Sequence, residues 1–598
     1  MIRALALLLD LFALSLPSSA AGEQQNTQVG RLAVVATSPW PNAATKGYQP
    51  LLIQAENPSE EPADLEILVK AGWGNEGMRI ERSIRVEPLQ RATVEMLVPA
   101  YIWNSQEFRL ELFSDGDRSY TGSLGSTGSF AMYAHLVAVF SKAGSPSGRG
   151  EAWTTALSPT GTTTTWGQGR WRNHGLHMEK DWNTNVSVTV GDVAFEDMSR
   201  RWEAYSSLDL AVVDVEGGLP SSAELEALFA WVRLGGVVIL AGDDANRILS
   251  GVDAVSEWTD SRFALDDVPG VQRYQCGFGR ILVVPRSGLF DDARLRDAAV
   301  AELRQRVRSD WTPSTRGSRG SGEGFRPRVP GIGALPYRAF VALMILFAII
   351  VGPVNFLWTK RRGKPAALLF TIPLVALGGA LLALGYGFFW QGVDTKTHSD
   401  TVAMLDQRSG LVSNAEVRAL YAGLAPGRGL LPGQGTGVFP WGTDLMNRED
   451  VRYEIRSGQE NSYRAGFLPS RLQVRQAILT ARGSKLRLQV ELGPDSCTVQ
   501  NGLGVDLEQL VVHGHDGAWF ELDGPLDAGG TVSLSKLGAA PDLEELVSFH
   551  PEALAVLPRG SYSARTSTSA FRDDCGLDLN ELSGSHAVLG VLAKEENR

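Results

Sequence analysis

Leu208-Asp-Leu-Ala-Val-Val-Asp214, Pro220-Ser-Ser-Ala-Glu224, Gly235-Gly236 and Val237-Val-Ile-Leu-Ala241 follow one another in close succession. Leu210-Ala-Val-Val213 in the first, and the whole of the last, are continuous apolar runs, the pattern of strands buried on both faces of a sheet. Between them, Ser221 and Glu224 have the spacing of a capping box. Leu225, Leu228, Phe229 and Val232 then fall on one face of a helix that the two glycines stop. Strand, helix and strand at this spacing make a βαβ unit and hence a parallel sheet. His135-Leu-Val-Ala-Val-Phe140 and Ile281-Leu-Val-Val284 supply further strands, and Asp291 to Arg308 a further helix, so an α/β domain is expected over 131–308.

The flanks read differently. Leu65-Glu-Ile-Leu-Val69, Ile84-Arg-Val86 and Phe108-Arg-Leu-Glu-Leu112 alternate with period two between turn residues such as Asn57-Pro-Ser59, which predicts a β-sandwich over 28–128. Alternation returns in Leu486-Arg-Leu-Gln-Val-Glu-Leu492, and Asn501-Gly502 marks a tight turn, so 394–598 is expected to be a β-rich domain.

Three segments address the membrane. Met1-Ile-Arg3, an apolar run from Ala4 to Leu16 and the small residues of Pro17-Ser-Ser-Ala-Ala-Gly22 have the plan of a signal peptide, 1–21. Spans 337–358 and 365–390 are each long enough to cross a hydrocarbon layer of about 30 Å, and only Arg338 is charged within them. The loop 359–364, Thr359-Lys-Arg-Arg-Gly-Lys364, is short and basic and is assigned to the cytoplasm. An exported N-terminal region and two crossings place the C-terminal region outside as well. Arg326, Arg328 and Arg338 oppose that charge rule locally, but a domain already being translocated is little affected by them. Within the hairpin, Gly378, Gly379, Ala383 and Gly387 allow close helix approach, and a polar contact between Asn355 and Thr371 is expected. A Gly/Ser-rich linker, 309–335, carrying Arg316, Arg319, Arg326 and Arg328, ties the exported domains to the membrane and offers charges to anionic lipid.

The 598 residues exceed one core, and 56 Lys+Arg against 67 Asp+Glu leave a net charge of -11, which argues against nucleic acid as a partner. Cys276, Cys497 and Cys575 are too few for a disulfide scaffold and too scattered for a zinc site, although Cys497 and Cys575 share an oxidising compartment and are a candidate bridge. His174 with His177 and His513 with His515 read as surface histidines rather than metal ligands.

The run strand, Pro-Ser-x-x-Glu, helix, aromatic-Val-Arg-x-Gly-Gly, strand resembles the degenerate class I glutamine amidotransferase-like (flavodoxin-like) domains of bacterial cell-envelope membrane proteins. Val351-Gly-Pro-Val-Asn-Phe356, the basic loop, Gly363-Lys-Pro365 and Thr371-Ile-Pro373, taken with the Asn501-Gly502 region, resemble uncharacterised bacterial inner-membrane proteins. An active amidotransferase would place a nucleophilic cysteine on a sharp glycine-bounded turn after a sheet strand, partnered by a His and a Glu. Here that turn reads Gly242-Asp-Asp244, and Cys276 precedes a strand instead of following one. The expectation is therefore a protein without catalytic, cofactor or metal residues, anchored in the bacterial inner membrane with both large regions extracytoplasmic, binding an envelope partner protein or polymer. An accessory subunit of a transporter or exporter is a second reading. A hydrolase using acidic residues of the α/β domain, Asp243 and Asp244 among them, is a third.

Overall fold

The computed structural model describes residues 23–40, 46–71, 77–99, 109–122, 134–142, 187–251, 271–284, 327–332, 337–363, 368–392, 394–440, 452–458, 461–493, 495–522, 524–541 and 557–593. The expected signal peptide, His174, His177, the expected helix 291–308 and Arg316, Arg319 and Arg326 of the expected linker lie outside them. The protein is rich in β-structure, with several sheets and few helices.

Two sheets build the N-terminal region. One orders β1 (Glu23–Val29), β2 (Leu32–Ser38), β3 (Tyr48–Glu56) and β6 (Arg91–Pro99) as a four-stranded antiparallel sheet. The second contains β4 (Ala63–Ala71), β5 (Gly77–Val86), β7 (Arg109–Ser114) and β8 (Asp117–Gly122). Alternating strand residues of both sheets, among them Leu32, Val34, Leu51, Ile53, Leu65 and Ile67, enter one core. The second sheet does not end with its own region. β18 (Arg452–Arg456) pairs in parallel with β5, and β19 (Ser462–Ala465) pairs with β18, so two strands from beyond the helices complete an N-terminal sheet.

The central sheet runs β10 (Ser187–Ala194), β9 (Ala134–Ser141), β11 (Leu210–Asp214), β12 (Val237–Ala241), β14 (Gly279–Val284), β13 (Gln272–Cys276). All neighbours are parallel except the edge pair β13 and β14. Its inner strands are apolar on both faces because both are buried: Ala211 and Val213 join one cluster, and Leu210 and Val212 another. Helix α1 (Ser222–Arg233) begins where Ser221 N donates to Glu224 at 2.9 Å, the backward arm of the expected capping box.

The C-terminal sheet has eleven strands in the order β17 (Thr436–Pro440), β20 (Gln473–Gly483), β16 (Leu411–Ala422), β15 (Thr395–Asp406), β27 (Leu579–Val591), β26 (Ser561–Thr566), β23 (Leu507–His513), β24 (Trp519–Leu522), β25 (Thr531–Leu537), β22 (Ser496–Gly502), β21 (Arg487–Leu492). Its first strands share the N-terminal and central core, whereas the far strands form a separate cluster around Cys497, Leu510, Phe520 and Tyr562.

Between β14 and β15 lie the apolar helices. α3 (Tyr337–Ile349) continues into α4 (Asn355–Arg361) through a π-helical turn, Ile350–Val354, that contains Pro353. Proline has no N–H to donate, so the wider turn absorbs the missing bond. Among the described residues, Val341–Arg361 is long and apolar enough to cross a membrane, and only a small share of it is buried. α5 (Leu368–Gln391) packs against it so closely that a Cβ at Gly379 would lie 2.8 Å from the Phe347 ring. The expected polar contact is not made as a hydrogen bond: Asn355 Nδ2 and Thr371 Oγ1 are both buried without a partner. Thr359 Oγ1 instead donates back to the Asn355 carbonyl at 2.9 Å, a within-helix bond that satisfies Thr359 alone.

A short 3-10 helix, Trp202–Ser207, joins the three regions. Tyr205 stands between Trp40 at 5.1 Å, Phe140 at 5.9 Å and Trp231 at 6.1 Å. Trp202 donates to the Gly435 carbonyl at 3.1 Å and meets Phe439, which also packs on Tyr48. Residues 46–48 lock onto this turn: Lys46 pairs with the buried Asp209 at 2.6 Å, and Tyr48 N donates to Ser206 Oγ at 3.0 Å. Gly47 has φ +66°, and a Cβ there would lie 2.4 Å from Ser206 Oγ and 2.5 Å from Ser206 backbone atoms. Gly47→Ala combines left-handed strain with a backbone clash and is expected to lower unfolding stability by about 2 kcal/mol or more in denaturant melts. A loss under about 0.5 kcal/mol would show that residues 46–48 do not hold the regions together.

Candidate functional site

The carboxyl ends of the central strands are where a parallel α/β sheet presents a ligand crevice. Gly242-Asp-Asp244 stands there, after β12, with Asp243 and Asp244 exposed and Asp244 preceding the short helix α2 (Ala245–Ser250). Cys276 is at the opposite end. It pairs with Gly279 in the hairpin whose Arg280 N bonds the Gly236 carbonyl, just before β12 begins. A five-residue strand separates the two places, roughly 16 Å at 3.3 Å per residue. Burial pushes the Cys276 thiol up to about 11, so it is held protonated. Cysteine and aspartates are therefore not brought together. Among the described residues no group of three or more His, Cys, Asp and Glu could hold a metal ion.

The other sequence candidates are also dispersed. All three cysteines are free and buried, and Cys497 and Cys575 sit in different hydrophobic clusters, so the candidate bridge is not formed. Ring stacking at 3.8 Å places His513 on Trp519, with Nδ1 at 2.8 Å from the Leu557 carbonyl, while His515 lies against Gly560.

A constellation of buried polar groups lies on β15, β16 and β27, where sequence reasoning did not look. Asn414, Glu416 and Arg418 alternate along β16 and so share one face. Cross-strand pairing sets Glu416 beside Thr401 and Thr401 beside His586. Thr401 Oγ1 is 3.0 Å from His586 Nδ1, and His586 Nε2 is 3.1 Å from Glu581 Oε1. Glu581 also accepts Ser399 Oγ at 2.7 Å and Arg572 Nη1 at 2.6 Å. Arg418, fully buried, donates to the Asp573 carbonyl at 2.9 Å and reaches Cys575 Sγ at 3.2 Å. The segment from Phe571 to Cys575 is pinned over this face: Asp573 accepts Gly433 N at 2.8 Å, and the Cys575 carbonyl accepts Leu431 N at 2.7 Å.

Glu416 is the exception in this network. Its carboxylate is 3.9 Å from Arg418, neither oxygen accepts a hydrogen bond, and Asn414 alongside has neither amide atom partnered. Burial raises its pKa to about 7 against the pull of Arg418 and Arg572. Glu581 behaves oppositely. Burial would raise it, but the bonds from His586 and Ser399 outweigh that and hold it below the usual carboxylate range.

Thr401, His586 and Glu581 make a hydroxyl, imidazole, carboxylate line of the kind that activates nucleophiles. Thr401 and His586 are each 3% exposed, and Arg572 neutralises the carboxylate. The line is sealed and ties strands together. Glu416 binds a proton more tightly folded than unfolded, so its contribution to stability is present below pH about 4.5 and is lost as pH rises through about 7. Glu416→Gln removes that loss. The variant is expected to gain roughly 1–3 kcal/mol over wild type at pH 8 and far less at pH 5 by urea denaturation; an equal difference at both pH values would refute the assignment.

No protein-family model and no curated protein sequence matches the chain. Among solved structures it is similar to the yeast delta-COP-I mu-homology domain bound to a WxWxV peptide, at 8% identity and a TM-score of 0.17 over 33% of this chain and 96% of that one. The same yeast domain without peptide gives 9% identity and a TM-score of 0.16 over 33% and 95%. At such scores the likeness assigns neither a fold nor a ligand.

Proposed function

We propose that the chain is a noncatalytic bacterial cell-envelope protein, anchored in the inner membrane by a two-helix hairpin and binding a partner protein or polymer through its extracytoplasmic regions. The observation that carries this reading is a closure. Residues 452–456, after the helices, pair with 77–81, before them, and Gln473 and Arg475 bond the Pro327 carbonyl just ahead of α3. Chain segments packed in one body lie on one side of a bilayer, so a crossing by Val341–Arg361 calls for a return, and α5 is the helix available for it. Lys360, Arg361 and Arg362 then mark the cytoplasmic turn, with Arg362 stacked 4.0 Å over Trp358.

The central sheet supports a flavodoxin-like, amidotransferase-type domain. Its parallel strands, taken in chain order, run 2-1-3-4-5. The lone cysteine near it is buried at the amino end of that sheet, away from where such chemistry is done. A fold kept without its nucleophile supports a retained binding surface, and the net charge of -11 disfavours nucleic acid as the partner.

Impermeant maleimide tests the topology, because the three native thiols are buried. In intact spheroplasts Glu60→Cys and Lys485→Cys are expected to label, and Arg362→Cys only after permeabilisation. Labels at 60 and 485 on opposite sides would sink the hairpin. Cys276→Ala is expected to leave the cellular phenotype and the complexes recovered by crosslinking in native membranes unchanged. Loss of function with normal protein level would restore the enzyme reading.

A further inference from the structure

Leu424 and Leu472 are 60% and 43% exposed, large apolar side chains on a protein surface. The turns that carry them are joined. Ala422 bridges Ser470, Arg471 N donates to the Ala422 carbonyl at 2.7 Å, and Ala425 N donates to Ser470 Oγ at 2.7 Å. This double turn lies where the chain leaves the helices. α5 ends at Gln391, and the Asp394 carbonyl accepts Gly423 N at 3.1 Å. Three residues of chain span at most about 11 Å, and the headgroup layer on each side of a bilayer is about 5–7 Å thick.

The other helix departs from the same rim. Val329 is buried against Ala419 and Tyr421 at the end of β16, and its N–H donates to Gln473 Oε1 at 3.1 Å. Five residues, at most about 18 Å, separate Ile332 in this strap from Tyr337, where α3 begins. Two tethers on one rim hold that rim against whatever the helices occupy. Arg328 in the strap, Arg428 in the turn after Leu424 and Arg471 next to Leu472 are exposed, and Lys396 follows Asp394, the exposed acid at the α5 exit.

We infer that this rim is a membrane-seated surface, with Leu424 and Leu472 inserted into the outer headgroup layer and Arg428 and Arg471 on lipid phosphates. The inference rests on the hairpin reading and adds that the folded body lies on the bilayer instead of swinging free of it. Apolar side chains at the acyl boundary, flanked by basic residues, bind a lipid surface by these two contributions together.

The test uses the full chain in phosphatidylcholine/phosphatidylglycerol vesicles carrying a shallow nitroxide-labelled lipid, with a single NBD label on Leu424→Cys, Leu472→Cys, Leu374→Cys within α5, or Lys485→Cys. Lys485 follows the turn at the far end of β15 and β16, where Ser484 N bonds the Gly410 carbonyl. Twelve residues of β15 put it roughly 40 Å from the rim. Quenching at 424 and 472 is expected within about twofold of that at 374, and at least about fivefold above that at 485. Arg428→Gln with Arg471→Gln is expected to halve the quenching at 424; no change would remove the arginines from the surface. Quenching at 374 but not at 424 and 472 overturns the seated rim and leaves the hairpin intact. A blue-shifted but unquenched label at 424 assigns the leucines to a second copy of the chain and also overturns it. Absence of quenching at 374 overturns the hairpin and the inference together.

Discussion

The fold depends on one docking contact, the seat of Lys46, Gly47 and Tyr48 on the Trp202–Ser207 turn. Each of its parts comes from a different stretch of chain. Tyr48 belongs to the first sheet, Tyr205 is bracketed by rings from the first and central sheets, and Phe439 and the Gly435 carbonyl come from beyond the helices. Aromatic rings at these separations add to the area they bury, and the Lys46–Asp209 pair gives the seat a fixed register because either charge left alone there is costly. Around the seat, buried residues of all the sheets join one cluster, while the other face of the central sheet and the far strands of the C-terminal sheet keep clusters of their own.

The long C-terminal sheet solves a second problem, how to keep charged residues inside. Glu581 and His586 bond each other, Arg418 donates to the Asp573 carbonyl while its Nε is left without a partner, and the segment covering them is held by its own carbonyl and carboxylate bonds. Bonds of this kind, made between strands, favour one arrangement of them. Glu416 and Asn414 are left out of these bonds. The cost of Glu416 falls on stability at alkaline pH, and that of Asn414, which does not titrate, is the same at every pH.

Local signals in the sequence carried the elements and missed their partnerships. The capping box at Ser221 and Glu224 appears as a formed bond, and the doubly buried strands Leu210–Asp214 and Val237–Ala241 follow from their unbroken apolar composition. The buried network was illegible for a physical reason. Asn414, Glu416 and Arg418 at alternate positions read as a solvent-facing side, and only the covering of that side by residues more than 150 positions later makes it interior. Arg452–Arg456 likewise carries no mark of its partner, since parallel pairing is fixed by tertiary context and β5 is far away in sequence. The contact expected between Asn355 and Thr371 required a geometry that depth along two helices does not determine.

The pairing of β18 with β5 also has a meaning for biogenesis. Arg456 meets Glu81 across 375 residues, and both apolar helices lie between them. In a chain that emerges from its N-terminus, β5 exists as an open strand edge long before its neighbour arrives. Open edges recruit whatever strand is nearest, and contacts this distant in sequence form late. The first half of the molecule is thus made unfinished and waits for the second, which places the greatest hazard of misassembly in the interval while the apolar helices between them are being made.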